Sequence, residues 1–279
     1  MISLSIDVTT IENARLIAPL GLSTPDAAPV ALDIDGAEVR MVADPHSAQS
    51  VVCLASHADT VTLRWEFTRP GAPYPETLFQ PRDSRFTRAA TALAAEAREI
   101  ASGAGGGLAG IAALANHVAG QFRYGHTEQK FYDGYDEIPQ LCDLTLGSCV
   151  DINAYFIAAC RGAGFEAGYV TGYFIPEEKR SHTTDMHCWV VTRHDGVVQE
   201  WDIAHHLKLG RTDIAPGLNP KPGVRVPMAH SMGLSFPALD VSDLKLLAEP
   251  MWLLADGSWS RADLRISLTG YDLLDRPTA

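Results

Sequence analysis

A chain of 279 residues, 46% hydrophobic and 20% charged, has the makeup of a folded globular protein of one large or two modest domains, which excludes a disordered segment. A formal net charge of -12 without clustered Lys and Arg argues against nucleic-acid and anionic-membrane partners, and makes neutral or basic substrates easier to accommodate. The opening MISLSIDVTTIENARL has no basic stretch ahead of an apolar core, no segment reaches membrane-spanning length, and five cysteines without a C-x-x-C pair do not suggest a disulfide framework, so the expectation is a cytoplasmic protein.

Residues 1–82 alternate short β-like runs (MISLSIDV, VALDIDGAEVRMVA, SVVCLAS, TVTLRWEFT) with turn signals at Asp35-Gly36 and Pro70-Gly71, which predicts an N-terminal β-rich domain. From Asp83 the composition shifts to helix formers (TRAATALAAEAREIA), ending in the run Gly103 to Gly107. No Lys-Ser or Lys-Thr follows that run and no strand precedes it, so it reads as a helix cap and link, not a phosphate loop. A second helix is expected from about Leu108 to Phe122. The loop after it, RYGHTEQKFYDGYDEIPQLCD, is longer than a minimal connector. Its Arg123, Tyr124, His126, Tyr132 and Tyr135 either line a substrate cleft or pack beneath a surface loop.

Gly147-Ser148 then forms a turn-and-cap pair, and Val150, Ala154, Phe156, Ile157 and Cys160 recur at helical spacing, so Cys149 opens a helix reaching about Gly162. The unpaired N–H groups and partial positive charge of a first helical turn stabilise a thiolate over a thiol. Downstream, HCWVVTRH and VVQEWDIA flank Asp195-Gly196, a two-residue hairpin signal. Pairing His194 with Val197 sets Trp189 opposite Asp202 and His187 opposite Ala204, which puts His187 and Asp202 on one face as diagonal neighbours. A helix-start cysteine, an imidazole and a carboxylate are the parts of a nucleophile, base and orienter.

Cys160, on the apolar side of the cysteine helix, and Cys188, on the strand face opposite His187, read as inert core residues, and Cys142 as a bystander. His182, His187, Cys188, His205 and His206 crowd one region, but their spacing lacks the tight ligand pairs of a zinc site, so no metal is expected. Residues 207–237, rich in proline and glycine, are expected to wrap the domain as irregular structure. PMWLLADGSWSRADLRISL reads as a final strand pair about Asp256-Gly257.

Together GSCVD, the stretch from Arg161 to Tyr173 (R-x-x-G-F-E-A-x-Y-V-T-G-Y), the H-x-W of His187 and Trp189, and the W-D of Trp201 and Asp202 resemble the core of the transglutaminase-like superfamily, in particular its bacterial branch of cysteine proteases. The resemblance covers roughly residues 110–205. It implies a papain-like α+β fold, in which the cysteine helix packs on an antiparallel sheet within a catalytic domain spanning 83–279. It also implies Cys149 as nucleophile, His187 as general base and acid, and Asp202 as orienter. Where relatives follow the aspartate with a proline-containing turn, this chain has Ile203-Ala204-His205-His206. Gln121 and Gln140 are candidates for oxyanion stabilisation beside the backbone N–H of Cys149.

The implied activity is acyl transfer on an amide bond through a thioester, with hydrolysis of a peptide or small amide expected and no cofactor needed. The alternatives are a protein-glutamine transglutaminase and a non-catalytic binding module that keeps the fold. Trp189, Tyr124, Tyr135 and His205 are the expected substrate contacts.

Overall fold

The computed structural model describes residues 1–80, 83–184, 186–217 and 219–274, so the expected boundary after residue 82 lies outside the described residues. The fold is α+β. Two five-stranded antiparallel sheets pack face to face. The first runs in the order His182–Thr183, Leu264–Thr269, Ile2–Thr9, Thr60–Thr68, Ala28–Asp35. The second runs Trp259–Arg261, Met251–Leu253, Arg15–Pro19, Ser50–Ser56, Ala37–Ala43.

Strict alternation in ISLSIDVT sends Ile2, Leu4, Ile6 and Val8 inward, where they meet Leu16, Val52 and Leu54 of the facing sheet in one core. The expected turn at Asp35-Gly36 is not a hairpin. Ala28–Asp35 pairs with Thr60–Thr68, and Ala37–Ala43 pairs with Ser50–Ser56, so the chain crosses there from one sheet to the other.

The strand pair around Asp256-Gly257 forms as expected, Met251–Leu253 against Trp259–Arg261, and adds to the second sheet beside Arg15–Pro19.

A third sheet, also antiparallel, runs Val197–Trp201, Met186–His194, Glu166–Pro176, Gly223–His230. Its last strand occupies a region expected to be irregular. Gly223 and Pro227 mask the strand pattern, and the irregularity between Pro227 and Ala229 accommodates the proline in an edge strand. One face of this sheet packs on the cysteine helix, through Ala167, Tyr169, Cys188 and Val190. Tyr173, Ile175, Val224, Val226 and Met228 of the same sheet join the core of the two-sheet layer.

The cysteine helix, Cys149–Gly162, is buried along almost its whole circumference: every residue from Asp151 to Cys160 is buried. A helix apolar on all sides belongs at the centre of a core. Helices Thr91–Gly103 and Gly107–Gln121 cover it, the first through Leu93, Ala97 and Ala101 at four-residue spacing. The glycine run between those two helices is a link, as expected. No helix among the described residues is long and apolar enough to cross a membrane.

Candidate active site

Helix Cys149–Gly162 begins where the short strand Thr145–Gly147, paired in parallel with Phe122–Tyr124, delivers the chain to Ser148. Ser148 is fixed by Asp151 one turn on: its backbone N–H and its hydroxyl both donate to Asp151 Oδ2, at 2.9 and 2.6 Å. Tyr132 donates to the other oxygen, Oδ1, at 2.7 Å. The long loop is therefore pinned to the start of the helix, with Phe131 edge-on to Phe122 and Tyr155. Of the two readings of this loop, aromatics packed beneath a surface describes Tyr132, which is buried, while Tyr135 is 55% exposed.

Across from the helix, Asp195 and Gly196 both adopt positive φ (49° and 76°), the signature of a two-residue hairpin turn that fixes register. His194 pairs with Val197 and the ladder runs to Val190 opposite Trp201. There it stops. The expected pairing of Trp189 with Asp202 does not form, because Asp202 leaves the strand to cap the short helix Ile203–Lys208, its Oδ1 accepting from the His205 N–H at 3.0 Å. The carboxylate is still brought to His187: Nε2 lies 2.8 Å from Asp202 Oδ2. That contact leaves Nδ1 for the thiol of Cys149, with which His187 also hydrogen-bonds. All three side chains are buried.

The electrostatics follow from this packing. A hydrogen bond from Cys188 does most to hold the Cys149 thiol well below its usual pKa; burial opposes it, and the hydrogen bond and charge of His187 and the charge of Lys208 add to it. Burial works to lower the pKa of His187, but the charge and hydrogen bond of Asp202, with those of Cys149, reverse the balance and raise it. Burial opposes the ionisation of Asp202, yet His187 and Arg225 keep its carboxyl far below the usual carboxylate range.

Two groups here escaped the sequence reading. Arg225 lies on the strand that was not anticipated; its Nη2 donates to the same Asp202 Oδ2, and its guanidinium lies 4.9 Å over the Trp189 ring. Cys188 was expected to be an inert core residue. It is instead hydrogen-bonded to Cys149 and accepts from Asn153 Nδ2 at 3.2 Å. Facing the helix, away from His187 on its strand, is what brings it there, because the helix side of the sheet is where the cysteine sits.

The expected substrate contacts separate. His205 stacks on His187, ring centroids 4.0 Å apart and planes 7° from parallel, with Phe174 edge-on to it at 4.8 Å. Burial, with the charge of His187, pushes its pKa down to about 3, so His205 is the neutral ring of the pair at neutral pH. Tyr124 is half-buried under Lys208, whose Nζ is 4.4 Å above its ring. Trp189 is 2% exposed in a cluster with Leu22, Tyr74, Leu78, Phe79, Val170 and Val191; its bulk supports the sheet and is shielded from a cleft. Gln121 ends its helix and Gln140 is half-buried. Among the described residues His187, Asp202 and His205 each offer an atom within 4.8 Å of the others, a spacing a metal ion would accept, but the guanidinium of Arg225 already holds the shared Asp202 oxygen.

Residues 94–201 match the model of the transglutaminase-like superfamily. No curated protein matches the chain. Among solved structures, one described as a putative cysteine protease from Cytophaga hutchinsonii is similar at 12% identity with a TM-score of 0.52, over 100% of this chain and 92% of that one. Another, described as a putative protease from Parabacteroides distasonis, is similar at 12% identity with a TM-score of 0.30, over 71% of this chain and 42% of that one.

Proposed function

We infer that this chain, a member of the transglutaminase-like superfamily through residues 94–201, is a cysteine-dependent enzyme that cleaves an amide bond through a thioester. The observation that carries the reading is the chain of contacts Cys149, His187, Asp202, with the thiol at the first residue of a helix and the carboxylate 2.8 Å from the far nitrogen of the imidazole.

In this reading His187 takes the proton of Cys149 and the thiolate attacks the amide carbonyl. Asp202 keeps the ring oriented and stabilises the imidazolium, as a buried carboxylate does beside a catalytic histidine. We assign the oxyanion to the backbone N–H of Cys149, an unpaired donor in the first helical turn. His187 then protonates the leaving amine, and a water activated by the same ring releases the acid. The description of the Cytophaga structure favours water as acceptor. A primary amine in that place would make the reaction a transamidation.

The test is a blocked-peptide library incubated with the wild type, Cys149→Ala and His187→Ala, with intact-mass detection of an acyl adduct. Cleavage falling by about 10³-fold or more in both variants, with the adduct on Cys149, is the expected result. Cleavage surviving in Cys149→Ala would overturn the reading.

A further inference from the structure

The sequence contains five lysines, Lys130, Lys179, Lys208, Lys221 and Lys245, in a chain of net charge -12. All five stand around the site. Lys130 and Lys245 lie 3.7 and 4.0 Å from Asp151, which caps the cysteine helix. The other three line a cavity of 200 Å³ whose wall includes His187, His205 and Phe174. Among the described residues one carboxylate shares that wall, Glu178, and Lys221 holds it at 2.9 Å. Among the described residues Lys179 and Lys208 are in no ion pair. A positive cavity has been built on an acidic protein.

Its position says which part of a substrate it receives. This step rests on the proposed acyl transfer: His187 delivers the proton to the leaving amine, so the amine side of the scissile bond passes along the His187 flank, where the cavity opens. At 200 Å³ it is smaller than the ~300 Å³ at which sites for drug-sized ligands begin, which suits one residue. Lysine ammonium groups on flexible stems are point charges that follow a carboxylate without demanding one bidentate geometry. Stacked His205, neutral at physiological pH, adds no charge of its own.

We propose that the cavity lined by Lys179, Lys208, Lys221, His187 and His205 is a carboxylate-recognising subsite for the residue on the amine side of the scissile bond. The carboxylate is either an acidic side chain or the α-carboxylate of a C-terminal residue. The expectation of a neutral or basic substrate, drawn from net charge, gives way at this subsite, because the local field at a cleft depends on the charges lining it.

Binding of three small probes by ligand-observed NMR tests the subsite without requiring turnover. N-acetylalanine carries an α-carboxylate, N-acetylaspartic acid α-amide a side-chain carboxylate, and N-acetylalanine amide neither. At least one acid binds more tightly than the neutral amide. In Lys179→Gln/Lys221→Gln, and separately in Lys208→Gln, that preference drops by about fivefold, the size expected for removing charges several ångströms away in water. It persists in Arg64→Gln, on the far sheet. The stronger acid identifies the source of the carboxylate.

Equal binding of all three probes, or a preference that survives in both lysine variants with circular dichroism unchanged, would overturn the proposal. Iodoacetamide labelling of Cys149 in the same preparations reports on the acyl-transfer reading alone. An unreactive thiol beside an intact acid preference would remove the chemistry and leave the subsite standing.

Discussion

Cys188 hydrogen-bonds to Cys149 from the face of its strand opposite His187, so consecutive residues of one strand engage the same thiol. Cys188 is itself held neutral, its pKa pushed well up by burial and by the neighbouring Cys149, which makes it the donor and Cys149 the acceptor. Replacing Cys188 with alanine removes that donor. The apparent pKa of Cys149, read from the pH dependence of iodoacetamide labelling, should rise by about one unit, the equivalent of one hydrogen bond. Cys188→Ser, which keeps a donor, should restore much of the shift.

The pH dependence of turnover follows from the same contacts. Cys149 is deprotonated above its lowered pKa and His187 is protonated below its raised one, so the thiolate–imidazolium pair occupies the window between them. The acid limb of kcat/KM should fall well below the ~8.5 of an ordinary thiol and the alkaline limb above the ~6.5 of an ordinary histidine. Arg225→Met leaves Asp202 to the histidines alone and should move the alkaline limb higher. It should also cost stability, less than the ~3–5 kcal/mol of stranding a buried charge outright, because His187 still pairs with Asp202.

His205 predicts an acid-stability effect. Its pKa is about 3 in the folded protein against an ordinary 6.5, so between those values the unfolded chain binds a proton that the folded one does not. Stability therefore falls as pH drops from 6.5 towards 3, by up to ~1.4 kcal/mol per pH unit from this group. His205→Phe keeps a flat ring against His187 and removes the proton uptake. Urea unfolding across that range should show a shallower loss in the variant, and parallel curves would contradict the burial of a neutral His205.

Gly172 pairs with His187 across the central strands, and a Cβ there would run into the carbonyl oxygen of Val226 on the next strand. Backbone cannot turn aside as a side chain can. Gly172→Ala should destabilise by about 1–3 kcal/mol and slow labelling of Cys149, because the strand that carries His187 is displaced with it. A variant with the wild-type urea midpoint and labelling rate would show that the sheet absorbs the methyl group.

What was legible in the sequence was local. Ser148 capping the helix, the Asp195-Gly196 register and the neighbouring Trp201-Asp202 pair all act within a few residues, and the cysteine, histidine and aspartate were picked out on those signals. Two kinds of feature were not. Asp202 ends a strand and starts a helix at one residue, and strand alternation alone cannot anticipate that change of path. Arg225, Cys188 and the lysine-lined cavity depend on contacts between elements: Arg225 rides a strand hidden by Gly223 and Pro227, and Lys179, Lys208 and Lys221 come from three separate segments.

The two-sheet layer takes strands from both ends of the chain: Ile2–Thr9 lies between Thr60–Thr68 and Leu264–Thr269, and Arg15–Pro19 between Ser50–Ser56 and Met251–Leu253. During synthesis on the ribosome, each of these early strands has one side unpaired until Met251–Leu253 and Leu264–Thr269 have been translated. Unpaired edges are where nascent chains join one another, and contacts so distant in sequence close slowly. The helices around Cys149 lie in the chain between those early strands and their late partners, so they can collapse first, while the layer that backs their sheet is still waiting for its last strands.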